Sequence, residues 1–404
     1  MKKLRRKDNL NCLKDLKPVQ FRDYVQVEGR QLDPAYLAKN GFDYPILVMN
    51  RDKLGLKLPT DFSGDFLVKK LGREFMVSVF DLENGQEHDL ELGALVDAMK
   101  VEPKKRSNTY NCLNFNLSNT NIDLQVPDIV EALNWEKHWP AKDDRKPNLT
   151  KYCIFSMAGS FTDFHIHPTG ASVWFHQFEG EKLFFFVKPT DSNLEHYKSW
   201  MQKDDLLSLI NPELISVDQC QTLKLKEGQT LFIPAGYIHA VHTTKDSIAL
   251  SGNFLHQFSM AMQLKIHQLD KDIGALKHLC FSYFEFTNWY ALAQFPALLN
   301  MYKESIDRKF IKSRKGFDNL LNDSASYICC LLKWHNDYEN LTKEQRKDSI
   351  LVPNDFKSNT TRKKLMNSFV ECINQMSNEP IELDFSSNKR KSSNFCKPKK
   401  AAKV

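Results

Sequence analysis

The chain has 404 residues, of which 42% are hydrophobic and 11% aromatic, enough for a sizeable core in two or three structural units. Its apolar runs, such as LFFFV at 183–187, fall far short of a membrane span, and MKKLRRKDNLN at the start has no apolar secretory segment, so a cytosolic or nuclear protein is expected. The formal charge of +6 is uneven: five positives lie in residues 2–7 and seven in 386–404, so the rest carries −6, which excludes a folded part that is itself a basic nucleic-acid binder.

In chain order, residues 1–30 form a basic N-terminal segment. Residues 31–107 mix short strand and helix patterns, for example apolar YPILVM at 44–49 and ENGQEHDLELGALVDAMK, which ends as an amphipathic helix. These residues are expected to form an N-terminal α/β part that packs on the β region beginning at 108.

From 108 to 260 the texture changes to short aromatic and β-branched runs (CLNFNL, YCIFSM, SVWFHQF, KLFFFV, QTLKL, QTLFIP, SIALSGNFL) separated by Gly, Pro or Asn turns. Such runs predict an antiparallel β sandwich or barrel. Residues 261–380 carry apolar side chains at three- and four-residue intervals, as in AMQLKIHQLDKDIGALKHLCFSYFEF, and predict a helical bundle.

Residues 381–404 read as a disordered basic tail. Its KRK and KPKK clusters suit a nuclear localisation signal, a non-specific contact to nucleic-acid phosphates, or a solubilising tail. The nine cysteines are dispersed, without a CxxC pair, and are expected to be reduced.

Of the twelve histidines, 165, 167, 176, 196, 239, 242 and 256 cluster in the later part of the β region. In a strand, residues i and i+2 share a face, so His165 and His167 of SFTDFHIHPTG can both point into a barrel. His239, just past the Pro-Ala-Gly turn of QTLFIPAGYIHAV, is the best third ligand. Two close ligands and one distant ligand make a facial set with open positions, as oxygen-activating iron needs. His242 has the wrong parity relative to His239, and His176, His196 and His256 read as packing or hydrogen-bonding residues.

TDFHIHPTGASVWFHQFEGEK, GQTLFIPAGYIHAV and SGNFLH resemble the JmjC domain of histone lysine demethylases, nearest the branch that in animals carries a plant-homeodomain (PHD) finger ahead of it. NGFDYPILV, LGLKLP, YNCLNFNLSNT, ALNWEKHWP and RKPNLTKYC extend the likeness over about 35–285. No Cys/His pattern of such a finger is present.

The resemblance implies a mixed α+β fold: a double-stranded β-helix, the cupin-like jelly roll, with N-terminal α/β additions and a C-terminal helical bundle. It implies one Fe(II) per chain, 2-oxoglutarate as cosubstrate, and oxidative removal of methyl groups from lysines of histone tails and nucleosomes in the nucleus. His165 and His239 match the iron-binding histidines. Thr162 and Lys182 match residues that hold the distal carboxylate of 2-oxoglutarate, Asn111 matches a polar residue on its other end, and Asn253 matches a side chain near the substrate lysine.

Two features of that match need structural support. Lys182 lies in a largely apolar strand, where a bound dianion is a sensible partner, although snorkelling from the strand's start is the simpler local reading. Thr162 is three residues from His165, opposite in parity, and reaches the same pocket only if the strand begins or bulges there.

At position 167 the family has Asp or Glu where this chain has His. A neutral imidazole supplies no negative charge, which shifts metal preference towards zinc, nickel or copper and disfavours oxygen activation. Asp163 shares strand parity with both histidines and is a candidate substitute anion. Pro168 restrains His167 towards extended backbone, and Phe175 stands where relatives carry Tyr. A demethylase is expected, with a catalytically impaired JmjC chromatin adaptor as the alternative.

Overall fold

The computed structural model describes residues 19–20, 23–202, 220–274, 283–308, 314–377, 381–383, 385 and 396–398. The basic cluster of residues 2–7 and most of the tail cluster therefore lie outside the described residues.

Two long strands, Ser172–Val187 and Ile238–Phe254, pair antiparallel along their lengths and belong to two sheets each. Their halves at 173–176 and 247–251 are flanked by Thr230–Ile233 and Tyr152–Ser156. Their other halves, at 181–186 and 238–242, are flanked by Gln221–Lys226 and Phe161–His165. The pairing slips repeatedly between Thr243 and Ala249, which bends the ribbon from one sheet into the other.

Gly180 sits at that bend with φ +82°, and a Cβ there would lie 1.9 Å from the Asp246 carbonyl oxygen. Only glycine fits. SVWFHQF and KLFFFV are thus one bent strand and not two runs with a turn between them. The result is the expected double-stranded β-helix of a mixed α+β protein.

The N-terminal residues extend the first sheet at both edges. Ile46–Val48 and Val25–Val27 add beyond Thr230–Ile233, while Tyr110–Asn116, Met76–Asp81 and Gln86–Glu91 lie in turn beyond Tyr152–Ser156. The helix foreseen at the end of ENGQEHDLELGALVDAMK is Leu92–Lys100.

LFFFV is apolar throughout because both faces of its strand are covered. Phe184 and Phe186 point between the sheets, packing with Phe175, Leu223 and Ile233. Phe185 and Val187 point the other way, against Leu194, Tyr197 and Trp200 of the helix Asp191–Met201 and Ile266 of the helix Met260–Asp272. Burial of each such side chain contributes roughly 1.5–3 kcal/mol.

Helices Phe284–Arg308, Lys315–Glu339 and Asn359–Asn374 pack together after the barrel. Among the described residues no helix is long and apolar enough to cross a membrane.

Two expectations change. Cys396–Pro398 pairs antiparallel with Ile381–Leu383, so that part of the basic tail has regular structure; main-chain pairing needs no apolar side chains, and Ile381 anchors its partner strand in the helical core. Cys329 is disulfide-bonded, whereas Cys112, Cys153, Cys220 and Cys330 are free thiols. Disulfide pairing depends on spatial approach, which sequence spacing does not show.

Candidate metal centre

His165 closes the strand Phe161–His165, and His239 lies directly opposite it on Ile238–Phe254. Their ring centroids are 4.3 Å apart. His167 comes just after the strand end with extended backbone (φ −61°, ψ 139°), held so by Pro168, and its ring lies 5.3 Å from that of His165 and 5.2 Å from that of His239. One nitrogen from each of the three histidines lies within 4.8 Å of the others, the sole such grouping of His, Cys, Asp or Glu among the described residues.

Backbone carbonyls set two tautomers. The Asp163 carbonyl accepts from His165 Nδ1 at 2.7 Å, and the Tyr237 carbonyl accepts from His239 Nδ1 at 3.1 Å. A carbonyl only accepts, so both Nδ1 atoms carry the proton and both Nε2 atoms present lone pairs. Burial pushes His167 down to about 3, with His165 adding to the effect, and it also lowers His165 and His239. Three neutral, convergent imidazoles are a fitting donor set for a divalent first-row ion.

Thr162 reaches the same space through a bulge. His165 opposes His239 and Thr162 opposes Val241, so three residues on one strand span two on the other. The extra residue reverses parity, bringing Thr162 and His165 to one face. It also removes Asp163 from that face: its carboxylate accepts from the Phe164 N–H at 2.7 Å and lines no part of the cavity. The idea that Asp163 replaces the missing carboxylate is therefore overturned.

A cavity of about 500 Å³ holds the three histidines together with Thr162, Lys182 and Asn253. Lys182 is 2% exposed and does not snorkel. Its Nζ donates to Ser156 Oγ at 2.7 Å and to Thr243 Oγ1 at 3.0 Å, and burial lowers its pKa to about 7.

Ser156 Oγ in turn donates to Asn111 Oδ1 at 2.7 Å, and Asn111 Nδ2 donates to Thr162 Oγ1 at 3.2 Å. This direction of donation leaves one ammonium hydrogen of Lys182 and the hydroxyl hydrogen of Thr162 for a group in the cavity. Two donors beside a buried cation make an anion site.

Asn111 is not where the resemblance suggested. It stands behind Thr162 and Ser156, outside the lining; Asn114, in the segment where the register shifts between Cys112 and Phe115, lines the cavity instead. Asn253 lines the cavity with His167, and its Oδ1 is buried without a hydrogen-bond partner among the described residues. Phe175 also lines the cavity, 6.0 Å from Lys182 Nζ.

The other histidines are elsewhere. His176 bonds Thr230 Oγ1 at 2.8 Å, His256 bonds Ser172 Oγ at 2.9 Å, and His196 is exposed on the helix Asp191–Met201. Ser156 and Thr243 were missed; a lone hydroxyl at a strand position carries no sequence signal, and only its contact with Lys182 marks it.

Comparison with known proteins places this geometry. The JmjC family, described as "JmjC domain, hydroxylase", matches residues 152–254. The chain is similar to Lysine-specific demethylase 7A of Danio rerio, 36% identical over 317 residues, covering 77% of this chain and 35% of that protein. Lysine-specific demethylase 7B of Danio rerio is 32% identical over 369 residues, covering 89% of this chain and 61% of that protein. Histone lysine demethylase PHF8 of Danio rerio is 34% identical over 267 residues, 65% of this chain and 26% of that protein.

The chain thus spans less than two thirds of the length of these relatives. The matching domain, the double-stranded β-helix and the breadth of these similarities agree: the chain carries a JmjC domain over residues 152–254 and is similar to lysine-specific demethylases over most of its length.

Proposed function

We propose that the chain is an Fe(II)- and 2-oxoglutarate-dependent dioxygenase that demethylates lysines of histone tails. The observation that carries this reading is the junction, in one cavity, of three convergent imidazoles with the buried Lys182 and Thr162 donors. In this reading His165, His167 and His239 hold the iron, and Lys182 and Thr162 receive the distal carboxylate of 2-oxoglutarate. When bound, iron and 2-oxoglutarate would supply the oxidation of the substrate's N-methyl carbon by dioxygen, with 2-oxoglutarate oxidised to succinate and carbon dioxide and the methyl carbon released as formaldehyde.

The protein's own part is positional. The Asp163 and Tyr237 carbonyls hold two imidazoles with Nε2 presented. Apolar walls, among them Val173, Phe184 and Ile233, exclude water around the centre. Asn253, beside His167, offers its carboxamide oxygen to a substrate ammonium. Histone tails and nucleosomes are the proposed partners, the nucleus the proposed location, and the basic tails a proposed contact to nucleic acid.

The test is incubation of purified protein with methylated histone peptides, Fe(II), ascorbate and 2-oxoglutarate, read by peptide mass and formaldehyde. Loss of methyl groups that requires 2-oxoglutarate is expected. If the parent is inert and His167→Asp gains activity, the chromatin-adaptor alternative stands in its place.

A further inference from the structure

The cavity has an unusual charge inventory. Of the described side chains lining it, Lys182 is the sole one with a formal charge, and no Asp or Glu contributes to the wall. His167 supplies imidazole where the family supplies a carboxylate, and Asp163 is turned away by the bulge. A divalent ion held by three imidazoles here keeps its full +2 charge in a buried space that already contains a lysine. Burying uncompensated charge of one sign is strongly unfavourable, and nothing in the described wall offsets it.

The remaining donors have a matching shape. Among the described residues, one hydrogen on Lys182 Nζ and the Thr162 hydroxyl hydrogen have no protein acceptor in the direction of the cavity. The facial histidine set leaves open metal positions on the same cavity. A 2-oxo-dicarboxylate brings the two negative charges that the wall lacks, one at each end.

We propose that in this chain the metal ion and the dianion bind as a strongly coupled pair, each held weakly alone, because the described wall of the cavity carries no negative charge. This rests on the metal and 2-oxoglutarate reading above and adds what His167 does to it. Coupling is reciprocal: whatever factor the dianion adds to metal affinity, the metal adds to dianion affinity. A built-in carboxylate about 5 Å from the ion is worth more than about tenfold in affinity even at the dielectric constant of bulk water, near 80. The three-imidazole centre lacks that factor and regains it only from the dianion.

The experiment uses Co(II), monitored by its visible absorbance and by equilibrium dialysis, with the full chain under anaerobic conditions. In the wild type, saturating 2-oxoglutarate is expected to tighten Co(II) binding by about a hundredfold, beyond the about tenfold of a single compensating charge. His167→Asp is expected to bind Co(II) alone at least about tenfold more tightly than wild type and to lose a similar factor of coupling.

Equal Co(II) affinity in wild type with and without 2-oxoglutarate overturns the coupling and leaves the metal centre standing. His167→Asp binding Co(II) no more tightly than wild type also overturns it. No Co(II) binding under any condition overturns the metal reading itself. If His167→Asp gives no cooperative melting, the two wild-type arms decide the matter alone.

Discussion

The backbone N–H of Thr169 donates to the buried carboxylate of Asp270 at 2.6 Å, which ties the turn after His167 to the helix Met260–Asp272. Thr169 adopts φ +54°, unusual for a residue with a branched Cβ, and Gly170 comes next at φ +65° with Ile266 and Gln263 against its backbone. The third imidazole is thus positioned from a helix outside the barrel. Asp270→Ala orphans a buried N–H and is expected to destabilise the fold by about 1–3 kcal/mol and to weaken Co(II) binding. Urea denaturation and Co(II) titration check this, and unchanged metal affinity would show that the turn holds His167 without the helix.

Lys182→Met is expected to remove 2-oxoglutarate binding while stabilising the ligand-free protein. Burial lowers the lysine from 10.5 to about 7, so the unfolded chain binds this proton more tightly than the folded one. The penalty is full below about pH 7 and fades as pH rises towards 10.5. Wild-type stability relative to the methionine variant should therefore rise with pH across that window. Denaturation curves at three pH values test the sign, and a constant difference would mean that the lysine is neutral or well hydrated.

Ser156→Ala breaks the chain of donation between Lys182 and Asn111. A loss of about 1–3 kcal/mol in stability is expected, with 2-oxoglutarate affinity falling about tenfold, as for one charge-assisted hydrogen bond. Isothermal titration of the metal-loaded protein is the measurement. An unaltered affinity would place Ser156 in the packing alone.

Asp163→Asn should leave metal affinity within about twofold of wild type, since the bulge carries this side chain off the cavity face and its contact is the Phe164 N–H. A drop of an order of magnitude would restore Asp163 as a ligand.

Gly180→Ala is expected to be among the most damaging single-methyl changes in the chain. The new Cβ meets the Asp246 carbonyl oxygen at 1.9 Å in a backbone of φ +82°, and Asp246 also bonds Arg106 and the Ala158 N–H. A loss above about 3 kcal/mol, seen as a lowered urea midpoint or as insoluble protein, is the expected sum of clash and strain. Wild-type-like melting would show that the corner relaxes.

The period-two runs, the HIH pair and the histidine beyond the Pro-Ala-Gly turn were legible because side-chain alternation is a local property of extended chain. From them the β region, the helical texture after it and the three-histidine grouping could be read, and the wider motif match supplied the jelly roll. Parity then failed where neighbouring strands intervene. Thr162 and Asp163 are each on a side that counting from His165 does not reveal, because a bulge resets the alternation.

A bulge is a property of a strand pair, set by the register in which two distant segments meet, and a single run of residues does not contain it. The union of SVWFHQF and KLFFFV through Gly180 has the same origin: the glycine is visible in the sequence, but the carbonyl that forbids its Cβ belongs to residue 246. Residue types alone therefore determined which chemistry is available to this protein, namely imidazole, ammonium and hydroxyl groups on alternating strands. Tertiary pairing alone decided which of those groups share a cavity, and it turned the carboxylate of Asp163 away from that cavity.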